Sequence, residues 1–170
     1  MIKKLILLLS VVMIAVVVAF AVMKFTDTAV DNPDKVEVDL YFSTKDAMYL
    51  KAESRVVKGD NLYRNTIQEL IKGPESPTLS RTIPDGVKLN EIKVKNGTSY
   101  LDFNRALVEN HWGGSTGEIL TVYSIVNTMA QFPEIDRVQI LIEGEEIETL
   151  AGHLDLLKPL EPDKRLIKEE

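Results

Sequence analysis

Gly113-Gly114-Ser115-Thr116-Gly117 reads G-x-S-x-G, the pattern that sets a nucleophilic serine on a sharp strand-to-helix turn. Asp136 and His153 follow in the serine, acid, histidine order of such an acyl-transfer set. That chemistry needs a buried strand ahead of the serine. Val108-Glu109-Asn110-His111-Trp112 is neither apolar nor alternating, so the strand is missing. The residues fit a helix start better. Ser115 and Glu118 have the spacing of a capping box behind Gly114, with Ser115 accepting from the backbone and Glu118 reaching back. A small hydrolase using Ser115 is kept only as an alternative, and the chain is read as no enzyme.

Four other groups could do chemistry. Glycines before a helix N-terminus can cradle an anion with their backbone N–H groups, but no Lys or Arg stands beside them in sequence. His111-Trp112 lies in an expected loop, where an aromatic can grip a sugar or a protein partner, or simply pack over the core edge. His153-Leu154-Asp155 is an oriented base or a structural polar pair. Glu143, Glu145, Glu146 and Glu148 crowd one turn; calcium needs tighter convergence of oxygens, so a solvated hairpin tip is expected. The chain has no cysteine and two histidines, which excludes disulfides, thiolate metal sites and cysteine nucleophiles. No metal or cofactor is expected.

The elements that must position these residues begin outside the domain. Leu5 to Met23 is an apolar run of 19 residues interrupted only by Ser10. As a helix it spans about 28 Å, close to a bilayer core. Lys3 and Lys4 precede it, which puts the N-terminus in the cytoplasm and the rest outside the membrane. The rival is a signal peptide cleaved near Ala21, since Ala19-Phe20-Ala21 has the small-x-small form. Residues 1–25 are therefore the anchor or signal, and residues 26–35, polar and holding Pro33, a linker. Of 20 Lys and Arg, three precede residue 26; the remaining 17 stand against 26 Asp and Glu, net −9. Such a domain is no nucleic-acid binder.

Within residues 36–158, Val36, Val38, Leu40 and Phe42 alternate as a half-buried strand, followed by a second strand over Met48 to Val57. Asp60 can cap a helix that runs to Gly73-Pro74, and Pro74 to Gly86 reads as irregular loop. Leu89 to Lys95 and Thr98 to Phe103 form a hairpin about Asn96-Gly97, whose two positions suit positive φ. A long helix runs from Ser115 toward Pro133. Val138 to Ile142 is a strand, Gly144-Glu145 turns, and Ile147 to Leu150 pairs back. Residues 159–170 form a charged tail with little to bury. The expected class is α+β, a mainly antiparallel sheet with two helices on one face, preceded by one transmembrane helix.

Several segments together resemble one family. They are Tyr41-Phe42, Glu69-Leu70 with Lys72-Gly73-Pro74, Ile83-Pro84-Asp85-Gly86, Tyr100-Leu101-Asp102-Phe103-Asn104, Tyr123 to Thr128, and Val138 to Gly144 with Gly152 beyond. In this order and spacing they resemble the GerMN domain of sporulation and spore-germination proteins. The resemblance implies a ring-building type of α+β domain outside the membrane of a Gram-positive cell, working by association with another envelope protein or with itself. It brings no catalytic residues. Peptidoglycan is the alternative partner, with Trp112 and His111 as the contact residues.

Overall fold

The computed structural model describes residues 34–168. The membrane run Leu5 to Met23 lies outside the described residues. Among those described, no helix is long and apolar enough to cross a membrane.

Strand β1 (Lys35–Thr44) turns into β2 (Leu50–Lys58), antiparallel in continuous register from Lys35↔Lys58 to Ser43↔Leu50. The alternation of β1 turns Val38, Leu40 and Phe42 into the core. Helix α1 (Leu62–Lys72) packs Ile67 and Leu70 against them. The loop expected after it holds a short strand, β3 (Leu79–Ser80), which pairs with the end of β1 through Ser43↔Ser80. Asp60 does not cap α1. The N-cap is Asn61, in the left-handed region with φ 56° and no side-chain cap bond.

The second sheet runs in the order β4 (Leu89–Lys95), β5 (Thr98–Phe103), β6 (Arg137–Ile142), β7 (Glu145–Glu146). Asn96 (φ 51°) and Gly97 (φ 75°) make the tight turn between β4 and β5. The expectation of one mainly antiparallel sheet needs correction. There are two sheets, and β5 pairs with β6 in parallel, Leu101↔Ile140 at its centre. The connection between them, residues 104–136, holds helices α2 (Ala106–Glu109) and α3 (Ser115–Met129), and a parallel pair requires such a crossover. The last turn is also displaced. Glu143 (φ 53°) and Gly144 (φ 84°) form it, and only Glu145–Glu146 pairs back. Residues 147–150 leave the sheet because they are drawn to α3.

Helix α3 is not a one-faced helix. Ten of its 15 residues are buried, among them Glu118, Thr121, Asn127 and Thr128. Val122, Ile125, Val126 and Met129 join the core with residues from β1, β5 and β6. Its polar residues meet backbone. Tyr41 N–H donates to Thr128 Oγ1 at 3.1 Å. Just past the helix, Gln131 pairs with both backbone groups of Asp39, accepting from N–H at 2.8 Å and donating to O at 2.9 Å. The helix region thereby supplies hydrogen bonds that a neighbouring strand would otherwise give the open edge of β1.

The charged tail is docked rather than loose. Val138 and Leu160 exchange two backbone hydrogen bonds, 2.9 and 2.8 Å, and Asn127 exchanges two with the backbone of Asp163 at 3.1 and 3.0 Å. A 3₁₀ turn, Lys164–Leu166, then brings Ile167 beside Leu50 at the edge of β2.

Candidate functional site

The residues ahead of α3 form a small aromatic shelf. His111 Nδ1 accepts from Gly113 N–H at 3.0 Å, and its Nε2 lies 3.1 Å from Thr121 Oγ1. The Thr121 hydroxyl spends its proton on Thr82 O at 2.7 Å, so it accepts from His111 Nε2–H. This chain of bonds assigns His111 the neutral Nε2–H tautomer. Burial pushes the His111 pKa below its ordinary value, against the opposing charge of Glu118. Trp112 stacks on His111 with centroids 5.3 Å apart and planes 24° from parallel. Its indole lies across Gly117, where a Cβ would stand 2.8 Å from Nε1. Gly117 is thus the helix position that lets the ring lie down. Trp112 keeps 54% of its surface exposed.

Beside the shelf is a pocket of about 280 Å³. Its lining comes from the β1–β2 turn (Lys45, Ala47), from Ser80, Arg81 and Thr82, and from Gly113, Thr116, Gly117 and Leu120 at the start of α3. The sequence shows no cation next to the glycines; the fold brings Lys45 and Arg81 to line the pocket with them. These two residues, with Ser80 and Thr82, were invisible in sequence. They lie 30 or more positions away, on segments that read as turn and loop.

The capping box does not form. Gly114 (φ 79°) occupies the N-cap, so Ser115 is the first helical residue, without a side-chain cap bond, and is exposed. The shift by one residue turns Glu118 inward. Its carboxylate accepts from the Thr149 hydroxyl, from the N–H groups of Leu150 (2.9 Å) and Ala151 (3.0 Å), and from His153 N–H (2.8 Å). Burial alone would raise its pKa, but these four donors outweigh that and hold it below the usual range. A helix residue read as a local cap is in fact a long-range anchor for residues 149–153.

The serine, acid, histidine set is not assembled. Asp136 follows α3 and donates its N–H to Gly97 O at 2.7 Å, beside the β4–β5 turn. Ser115 is at the opposite end of the helix, about 21 Å along its axis. His153 gives its backbone to Glu118, and Asp155 accepts from Leu157 N–H at 3.0 Å rather than orienting His153. Glu143 accepts from Arg105 N–H, while Glu145, Glu146 and Glu148 are exposed. Among the described residues no three acidic, histidine or cysteine side chains converge as a metal site.

With this geometry, residues 39–148 match the family described as Germane, sporulation and spore germination. The chain belongs to the Germane family. Three solved structures are similar to this Germane domain. A Clostridium perfringens protein described as a candidate lipoprotein is 28% identical, with TM-score 0.56, over 76% of this chain and 89% of its own. The first GerMN domain of the sporulation protein GerM from Bacillus subtilis is 20% identical, with TM-score 0.63, over 76% of this chain and 98% of its own. The tandem GerMN domains of that protein give 21% identity and TM-score 0.64, over 84% of this chain and 51% of theirs, so the chain spans about half of the tandem pair. At 20–21% identity the last two show the fold alone. Among curated proteins none matches the chain.

Proposed function

We propose that this Germane protein is a membrane-tethered module on the outer side of a Gram-positive cell membrane, acting in spore formation or germination by association with an envelope protein or with itself. The family match over residues 39–148 carries the reading. Two features support it. The apolar run Leu5 to Met23 behind Lys3 and Lys4 suits a single-pass anchor with the N-terminus in the cytoplasm. Trp112, exposed and fixed in place, is the kind of residue that dominates binding energy.

The test is capture. The tagged full chain, recovered from membranes of sporulating cells, should bring down a defined envelope partner. Trp112→Ala should weaken that capture without lowering the melting temperature by more than a few degrees. Protease added to intact cells should remove residues 26–170 while an N-terminal tag survives. Capture that is indifferent to Trp112→Ala places the contact elsewhere, and a mature chain beginning near Val22 replaces the anchor with a cleaved signal. The pocket beside Trp112 favours a second reading, a module that binds cell-wall glycan.

A further inference from the structure

The pocket at Trp112 carries the parts of a site for a small anionic ligand. Its aromatic ring is preorganised, stacked on His111 and with its Nε1 edge against the bare backbone of Gly117, while Trp112 stays 54% exposed. Lys45 and Arg81 line it, and among the described lining residues none is Asp or Glu, although residues 26–170 carry net −9. The first turn of α3, which no side chain caps, adds the positive end of the helix dipole. Thr82 lines the same pocket, is 1% exposed, and its Oγ1 finds no hydrogen-bond partner among the described residues. An unmet buried hydroxyl calls for a partner, and the adjoining pocket is the place from which a ligand could reach this residue.

We propose that this pocket binds an acidic sugar, a pyranose that carries a carboxylate. The apolar C–H face of the ring lies on Trp112, and the carboxylate meets Lys45, Arg81 and the first turn of α3. A pocket of about 280 Å³ takes one substituted ring. The strand edge at the pocket belongs to β3, two residues long and too short to pair with an extended peptide. Arg81 already faces Asp85 at 2.9 Å and donates to Ile71 O at 3.1 Å, but both contacts are exposed and the ion pair yields to a ligand carboxylate. Asp46, next to Lys45, turns its Oδ1 to the Thr44 hydroxyl and Met48 N–H and does not line the pocket. The proposal deepens the glycan reading, on which it rests, and stands apart from the association reading.

Trp112 is the single tryptophan of the chain, so its emission reports this pocket directly. The full chain in detergent is titrated with N-acetylmuramic acid and with N-acetylglucosamine, the same ring without the lactyl carboxylate. The acidic sugar should give a saturable change in emission, and the neutral one should bind about tenfold more weakly. The double variant Lys45→Ala, Arg81→Ala, both exposed positions, should lose about tenfold for the acidic sugar alone and stay folded, its melting temperature lowered only by the loss of the Arg81 contacts to Asp85 and Ile71 O. Gly117→Ala, which displaces the indole, should weaken both. The proposal is overturned by no saturation, by equal affinity for the two sugars, or by a double variant that binds like the native chain. Tighter binding of a short peptide with a free C-terminal carboxylate overturns it in favour of a peptide. Loss of partner capture with sugar binding intact would sink only the association reading.

Discussion

Ser115 and Glu118 show how far one position in a cap changes the roles of two side chains. A Ser-x-x-Glu signal is local, and it treats both residues as servants of the helix end. Two positive-φ glycines move the cap back to Gly114, so Ser115 faces solvent and Glu118 faces the core. Ser115→Ala should therefore change stability by no more than about 0.5 kcal/mol in thermal melts. Glu118→Ala should cost about 3 kcal/mol or more, since it strands four donors that the carboxylate now satisfies. Equal effects of the two substitutions would restore the capping box. His111 gives a separate signal in pH. Its ordinary pKa is near 6.5, and burial holds it lower in the fold. The unfolded chain thus takes the proton first, and stability falls as pH drops below about 6.5. Glu53 and Glu118, which burial alone would raise, are kept low by donated hydrogen bonds, so their contribution is lost only in the acid range below about 4.3. Melts of the native chain and His111→Gln between pH 7.5 and 5 should show the native slope flattened in the variant. Identical slopes would mean that His111 is not held neutral. The bonds that fix this tautomer, from Gly113 and to Thr121, have no trace in the dipeptide His111-Trp112.

Among the elements, the turn and strands of the β4–β5 hairpin were legible because Asn96-Gly97 carries its own geometry, though not the register shift between Leu89 and Glu91. Both residues sit at positive φ, and the strands end where the alternation ends. The structure adds a second constraint at Gly97: a Cβ there would meet Asp136 Oδ2 at 2.3 Å. Gly97→Val should therefore cost well over 1 kcal/mol, from strained backbone and from displacement of Asp136 together. Adding Asp136→Ala should recover only the displacement part. Complete recovery would show that the φ requirement is weak, and an unchanged melting temperature for Gly97→Val would remove the turn from the argument altogether. The parallel β5–β6 pair was not legible in the same way. Its sign is a strand, a helix and a strand in order, and the same order also fits an antiparallel layer with helices set against it. Strand β3 was missed because two residues have no period. Arg55 was missed for another reason. Its 8% exposed side chain pairs with Glu53 at 2.6 Å and Glu69 at 3.3 Å and donates to Gly73 O at 2.7 Å, contacts that join β2 to the end of α1 across a sequence gap that no pattern spans.

At the scale of the whole molecule, the C-terminal segment is where composition misleads. Glu161, Asp163, Lys164, Arg165 and Lys168 read as solvent-facing, and most of their charge is indeed outside. What holds the segment is backbone and one amide: two bonds between Leu160 and Val138, two between Asp163 and Asn127, and Lys168 N–H to Leu50 O at 2.8 Å. These contacts touch β6, α3 and β2, so the segment ties the second sheet and the central helix to the edge of the first. Asn127 is 4% exposed, so losing Asp163 leaves a buried amide unpaired. Truncation after Pro159 should then cost about 1–3 kcal/mol, the penalty of leaving the buried Asn127 amide without its partner. Asn127→Leu in the truncated chain should recover part of that loss, because an apolar side chain needs no partner there. Denaturant unfolding measures both. A truncated chain as stable as the full one would mean that residues 160–168 lie on the domain without supporting it, and a tail free to leave would restore the loose, charged extension that composition suggests.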